Sequence, residues 1–261
     1  MKIHVKLALV ILCFLLATSE SCKYKKFSED HSFCKDANKN CDLKKSEVTD
    51  ADKKLILKKH NEYRMKIARG KESRAGGMPK ASNMMEMVWD DELASIAQKW
   101  ANQCKFKHDC PDCRKVERFF VGQNIYTISS TGEAKTKNWG SLTDTFYEEV
   151  KDFDKNNIKP FKSSTDYGHF TQLAWATSWK IGCGLAVYKE SGQNKSLYVC
   201  NYGPGGNING GRMYKEGKPC SNCPSGTCCC NRCKKSGVTS DYHGLCKVLD
   251  EKNFKIDDAT E

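Results

Sequence analysis

Past residue 16 the sequence has no apolar run long enough to cross a bilayer as a helix. It has no internal repeat, which argues against a solenoid or propeller. No arginine-rich block interrupts it, so its basic charge lacks the concentrated footprint of a nucleic-acid binder. No Gly-x-Ser-x-Gly motif occurs either, which removes the usual signature of a serine hydrolase elbow.

What is present starts with an export signal. Lys2 and Lys6 precede the apolar run Leu7 to Leu16, and Ala17-Thr18-Ser19 offers small residues for cleavage. Residues 1–19 are therefore expected to leave, giving a soluble, extracellular mature chain. Cys13 leaves with them, so fifteen of the 16 cysteines remain: Cys22, Cys34, Cys41, Cys104, Cys110, Cys113, Cys183, Cys200, Cys220, Cys223, Cys228, Cys229, Cys230, Cys233 and Cys246. In an oxidising compartment these read as a disulfide framework. The pairs Cys110/Cys113 and Cys220/Cys223 also have zinc-ligand spacing, but the export signal favours disulfides. An odd count implies a free thiol, an intermolecular bridge or a different cleavage site.

The net charge of +11 drops by two with Lys2 and Lys6, and the excess is spread over helical faces and loops. This describes a solvated basic surface, with attraction to anionic cell surfaces as a weaker reading. Nucleic acid is not an expected partner. The mature chain divides into a lysine-rich extension (20–48), a core domain (49–214), a cysteine-dense extension (215–246) and a polar tail (247–261) expected to be disordered.

Three helices are legible in the core domain. Thr49 and Asp52 form a capping-box pattern ahead of a helix with Ile56, His60, Tyr63 and Ile67 on one face. Asp90 can cap a second helix, with Leu93, Ala97, Trp100 and Cys104 inward. A third starts near Ser141, with the stripe Leu142, Phe146, Val150 and Phe153. Glu149 falls inside that stripe, where a carboxylate needs a partner. His60 reads more simply as a satisfied core histidine.

Later in the chain, residues 181–188 and 196–203 read as strands around a polar turn, and Cys183 with Cys200 is the best disulfide pair. Asn194-Lys195-Ser196 is a glycosylation sequon in what reads as an exposed loop. Early helices and late paired strands give an α+β class with helices flanking a sheet.

The stretches HNEYRMKIARG, VWDDELASIAQKWANQC, VGQNIYT, GHFTQLAWATSWKIGCG and YVCNYGPGGN resemble the CAP superfamily, which joins cysteine-rich secretory proteins, antigen 5 and pathogenesis-related 1 proteins. The likeness is strongest to arthropod antigen 5, or venom allergen 5, over 49–214. It implies a three-layer α-β-α sandwich flanked by disulfide-rich extensions, and a central cleft. The family's two cleft histidines match His108 and His169, and the helix glutamate matches Glu149. The second acidic position falls on Gln123, where this sequence departs from the pattern.

The resemblance implies no required cofactor. Two histidines and Glu149 would nevertheless suit zinc. It implies a secreted, non-enzymatic binding protein of venom or saliva, an allergen in many relatives, whose target is a host protein or a small molecule such as a sterol, fatty acid or eicosanoid. Two alternatives stand beside it: a zinc-dependent hydrolase using the His/Glu cleft, and a channel-directed toxin acting through the cysteine-rich end. Phe153, Ile158, Phe161 and Tyr167 either line an apolar groove or anchor a long loop to the core.

Overall fold

A computed structural model describes residues 22–136 and 138–256. The expected leader, Cys13 and the last five residues lie outside the described residues.

The elements run β1 (Asp42–Lys45), α1 (Asp50–Ala68), β2 (Val88–Trp89), α2 (Asp91–Ala101), β3 (Gly122–Ser130), α3 (Trp139–Glu148), α4 (Gly168–Leu173), β4 (Lys180–Glu190), β5 (Gln193–Gly203), β6 (Thr227–Cys228), α5 (Asn231–Lys235) and β7 (Lys247–Val248). Strands β1, β4, β5 and β3 follow one another in an antiparallel sheet, and β2 adds a short parallel pairing to β4. Thus β1, from the expected N-terminal extension, is part of the central sheet.

Side chains alternate across the sheet and build the two outer layers. Ala186, Tyr188, Leu197 and Val199 pack with Ala97 and Trp100 of α2. Cys183, Leu185, Val187, Tyr198 and Cys200 face the opposite way, toward Ile56 of α1, Phe146 of α3 and Phe170 of α4. This is the expected α-β-α sandwich. Both faces of β4 are covered, so burial along it is continuous rather than alternating.

Local chemistry explains the helix ends. Thr49 and Asp52 form the reciprocal capping box on α1, and Asp90 accepts from Leu93 N–H on α2. Asn138 caps α3, which begins at Trp139, two residues before Ser141. The α-helix stops at Glu148, and Glu149 opens a 3-10 turn, although the stripe Leu142, Phe146, Val150 and Phe153 is buried throughout.

All fourteen cysteines other than Cys230 are paired among the described residues: Cys22–Cys34, Cys41–Cys104, Cys110–Cys113, Cys183–Cys200, Cys220–Cys229, Cys223–Cys246 and Cys228–Cys233. Cys183 and Cys200 are direct cross-strand neighbours, as expected. Cys220 and Cys223 join different partners, which removes them as a zinc pair.

Two expectations need correction. The sequon lies within β5 because the hairpin closes on two residues, Ser191 and Gly192, both with positive φ. Asn194 is half-buried there and donates Nδ2–H to the Gly132 carbonyl at 2.6 Å, while Ser196 is buried. The polar tail is also not loose over its described part. Lys247–Val248 pairs with Thr227–Cys228, and Phe254 meets Trp179 edge-on at 5.2 Å. Val248, Phe254 and Ile256 supply apolar contacts to a cluster with Met85 and Cys246.

Candidate functional site

The site lies along β3, at the free edge of the sheet. Gln123, Asn124 and Ile125 come from that strand. Phe106 and His108 come from the loop after α2, Ser163 to Thr165 from the loop before α4, Gly168 and His169 from α4, and Asn207 from beyond β5. Together they line an open cleft of ≈ 580 Å³. Phe106 is 57% exposed and provides an apolar rim.

Glu149 explains its own position in the apolar stripe. Its Oε2 accepts the backbone N–H of His169 at 2.9 Å and of Phe170 at 3.0 Å, and its Oε1 accepts from His169 Nδ1 at 2.5 Å. It therefore caps the first turn of α4 from a different element, since Tyr167 at the helix start makes no side-chain cap. His169 stacks on Phe146 with ring centroids 4.8 Å apart, and its Nε2 faces the Ile125 carbonyl at 3.0 Å. The imidazole thus covers an open edge of the sheet.

His108 is anchored differently. Its Nδ1 lies 2.8 Å from Gln123 Oε1. Gln123 in turn donates from Nε2 to Asp109 Oδ1 and to Asn201 Oδ1, each at 3.0 Å. Asp109 is buried, and it also accepts from Arg114 Nη1 and from Ser32 Oγ. Partial desolvation in the cleft wall holds the His108 imidazole below its usual range, with the Gln123 hydrogen bond opposing.

The four cleft residues expected from the resemblance are therefore joined in two pairs, His108 with Gln123 and His169 with Glu149. The three-ligand set His108, His169 and Glu149 is not assembled. The groups of three metal-ligating side chains among the described residues are all cysteines, and the carboxylate of Glu149 is turned to α4. Phe153, Ile158, Phe161 and Tyr167 are all buried in the main core, so they anchor the loop and do not line a groove.

Several contributors carry little signal in the sequence. Asp109 adjoins His108 in sequence, and Asn201 is a polar residue inside an apolar strand run, a signal that would have found it. Asn207 and the hydroxyls of 163–165 carry no comparable mark. His60 is confirmed as structural: buried, with Nδ1 donating to Ile56 O at 2.8 Å and Nε2 3.0 Å from the Tyr202 hydroxyl.

Comparison with known proteins agrees with this architecture. The chain is 46% identical to a protein named CRISP/Allergen/PR-1 from Trittame loki, over 86% of this chain and 55% of that protein. It is 45% identical to a Venom allergen 5 from Tityus serrulatus, over 96% of this chain and 60% of that protein. The chain thus spans little more than half the length of these relatives. A solved structure described as NaASP2 with Zn2+ is similar at 31% identity and a TM-score of 0.60, covering 74% of this chain and 97% of that one. The model of the CAP, or Cysteine-rich secretory protein, family matches residues 57–202, more than half of the 261 residues. With the sandwich, the cleft and that match in agreement, the chain belongs to the CAP family.

Proposed function

We propose that the protein is a secreted, non-enzymatic component of venom or saliva that holds a small molecule in the β3-edge cleft. The observation that carries this reading is how fully the Glu149–His169 pair is committed. Glu149 accepts three hydrogen bonds, two of them from backbone N–H groups, and His169 is held between Glu149 and a backbone carbonyl. Gln123 is neutral. A general base needs a free lone pair directed at a nucleophile or water. Glu149 and His169 offer none in this arrangement. His108, whose second ring nitrogen is free, is backed only by the neutral Gln123 amide and is bonded to no nucleophile among the described residues. What the cleft does offer is a fixed surface: Phe106 for apolar contact, with His108, Asn207 and the hydroxyls of 163–165 around it.

The same geometry does not suit zinc. The ring nitrogen of His108 away from Gln123 has no hydrogen-bond partner among the described residues, whereas His169 Nε2 faces the Ile125 carbonyl and Glu149 is taken by α4. One available ligand of three does not fit a zinc site held by this chain as arranged. The names of the relatives, with the export signal and disulfide set, support secretion and a venom-type role.

The reading predicts that protein purified from its secreting tissue carries a small molecule identifiable by mass spectrometry, and that peptide and ester panels show no turnover above background. Turnover that disappears in His169→Ala would instead establish the hydrolase alternative.

A further inference from the structure

The two cleft histidines face partners of different kinds, and the difference fixes what each can offer. Gln123 Nε2 has two N–H groups, and two oxygens receive them, Asp109 Oδ1 and Asn201 Oδ1 at 3.0 Å each. Turning the amide over would direct its carbonyl oxygen at both of those oxygens, one a carboxylate. The Gln123 amide is therefore locked with Oε1 toward His108. Oε1 can only accept, so His108 Nδ1 carries the hydrogen of that 2.8 Å bond. Neutral His108 then has its lone pair on Nε2.

His169 is the reverse case. Nδ1 faces the Glu149 carboxylate at 2.5 Å and Nε2 faces the Ile125 carbonyl at 3.0 Å, and neither partner has a hydrogen to give. A lone pair on either nitrogen would be directed at an oxygen lone pair. His169 thus has no acceptor edge to present while these bonds hold.

We infer that Asp109 and Asn201, acting through Gln123, set His108 as the cleft's imidazole acceptor, so that the site selects small ligands presenting an O–H or N–H donor beside an apolar body. Asp109, Asn201 and Gln123 are positioning residues in this scheme, and His108 Nε2 is the atom that touches ligand. Phe106, two residues before His108 and exposed, supplies apolar surface in the same cleft. A carboxylate-headed ligand would meet lone pair with lone pair. A divalent cation would find one imidazole, not two. The inference rests on the cleft being a binding site, but the tautomer itself is measurable without any ligand.

The test is a long-range 1H–15N correlation spectrum of the histidines at neutral pH, on the unaltered protein and on Gln123→Met. The unaltered protein should show His108 in the Nδ1–H form, and Gln123→Met should move it toward the Nε2–H form that free imidazoles prefer. His108 found as Nε2–H in the unaltered protein overturns the lock, even if the variant fails to fold. Benzyl alcohol and benzoate, added separately, then probe the ligand class: the alcohol should shift His108 Nε2 and the carboxylate should not. Equal shifts, a larger shift with benzoate, or no shift with the alcohol overturns the class. Zinc alone should perturb His108 without His169, and equal perturbation of both overturns their inequivalence. Failure of the probes with the tautomer intact would count against the binding reading, whereas a wrong tautomer would leave that reading standing.

Discussion

Arg64 has five N–H groups, and the fold supplies five carbonyls for them: Met85, Leu173, Trp175, Ala176 and Ser178, at 2.7 to 3.0 Å. The side chain is fully buried with no carboxylate bonded to it, and burial pushes the guanidinium down to about 9. It fastens α1 to the whole segment between α4 and β4. Arg64→Lys keeps the charge but not the planar fork, leaving several buried carbonyls without donors. At ~1–3 kcal/mol for each stranded group, a total loss of about 4 kcal/mol is expected, seen as a fall in Tm of roughly 10 °C. His60 makes a separate prediction. Burial holds its folded-state pKa down to about 4, below the unfolded value of 6.5. Between those values the unfolded chain binds more protons, so this contribution is present above pH 6.5 and is lost as the pH falls toward 4. It amounts to roughly 3 kcal/mol. Denaturant titrations across that window should show a steeper fall for the unaltered protein than for His60→Gln.

At the scale of elements, the contact of α2 with the sheet depends on two glycines. A Cβ on Gly182 would lie 2.1 Å from Ala94 N, and one on Gly184 would lie 2.4 Å from Gln98 Cα. Both collisions are with helix backbone, which cannot rotate away as a side chain can. Gly184→Ala should therefore lift α2 from β4 at a cost of at least ~3 kcal/mol, measurable by urea denaturation. α1 and α2 were legible in the sequence because their caps and apolar faces are local features. The β4–β5 pair was legible from β-branched and aromatic content. Glu149 stood out as an anomaly, but its reason did not, because the N–H groups it satisfies lie 20 and 21 residues away in sequence. Asp109 is illegible for the same reason: its work is done on Gln123, and the sequence carries no mark of that pairing. Resemblance to the family located His108, Gln123 and His169, but only geometry separates the roles of the two histidines.

For the whole molecule, the C-terminal extension is sewn to the sandwich by backbone as well as by disulfides. Cys246 N–H donates to Met84 O and Cys246 O accepts from Glu86 N–H, each at 2.8 Å, while its side chain joins Cys223. The extension lacks a core of its own and shares Met85 and Trp179 with the domain. Cys223→Ser should cost about 3 kcal/mol and red-shift tryptophan fluorescence as the cover over Trp179 loosens. A purely appended tail would leave that spectrum unchanged. The proposed binding of a small molecule at the β3 edge is open to native mass spectrometry of the protein from its source tissue, beside His108→Ala produced in the same way. A bound small molecule is expected on the unaltered chain, with its loss from the folded variant. Equal retention by both, or a folded, ligand-free unaltered chain, would contradict it.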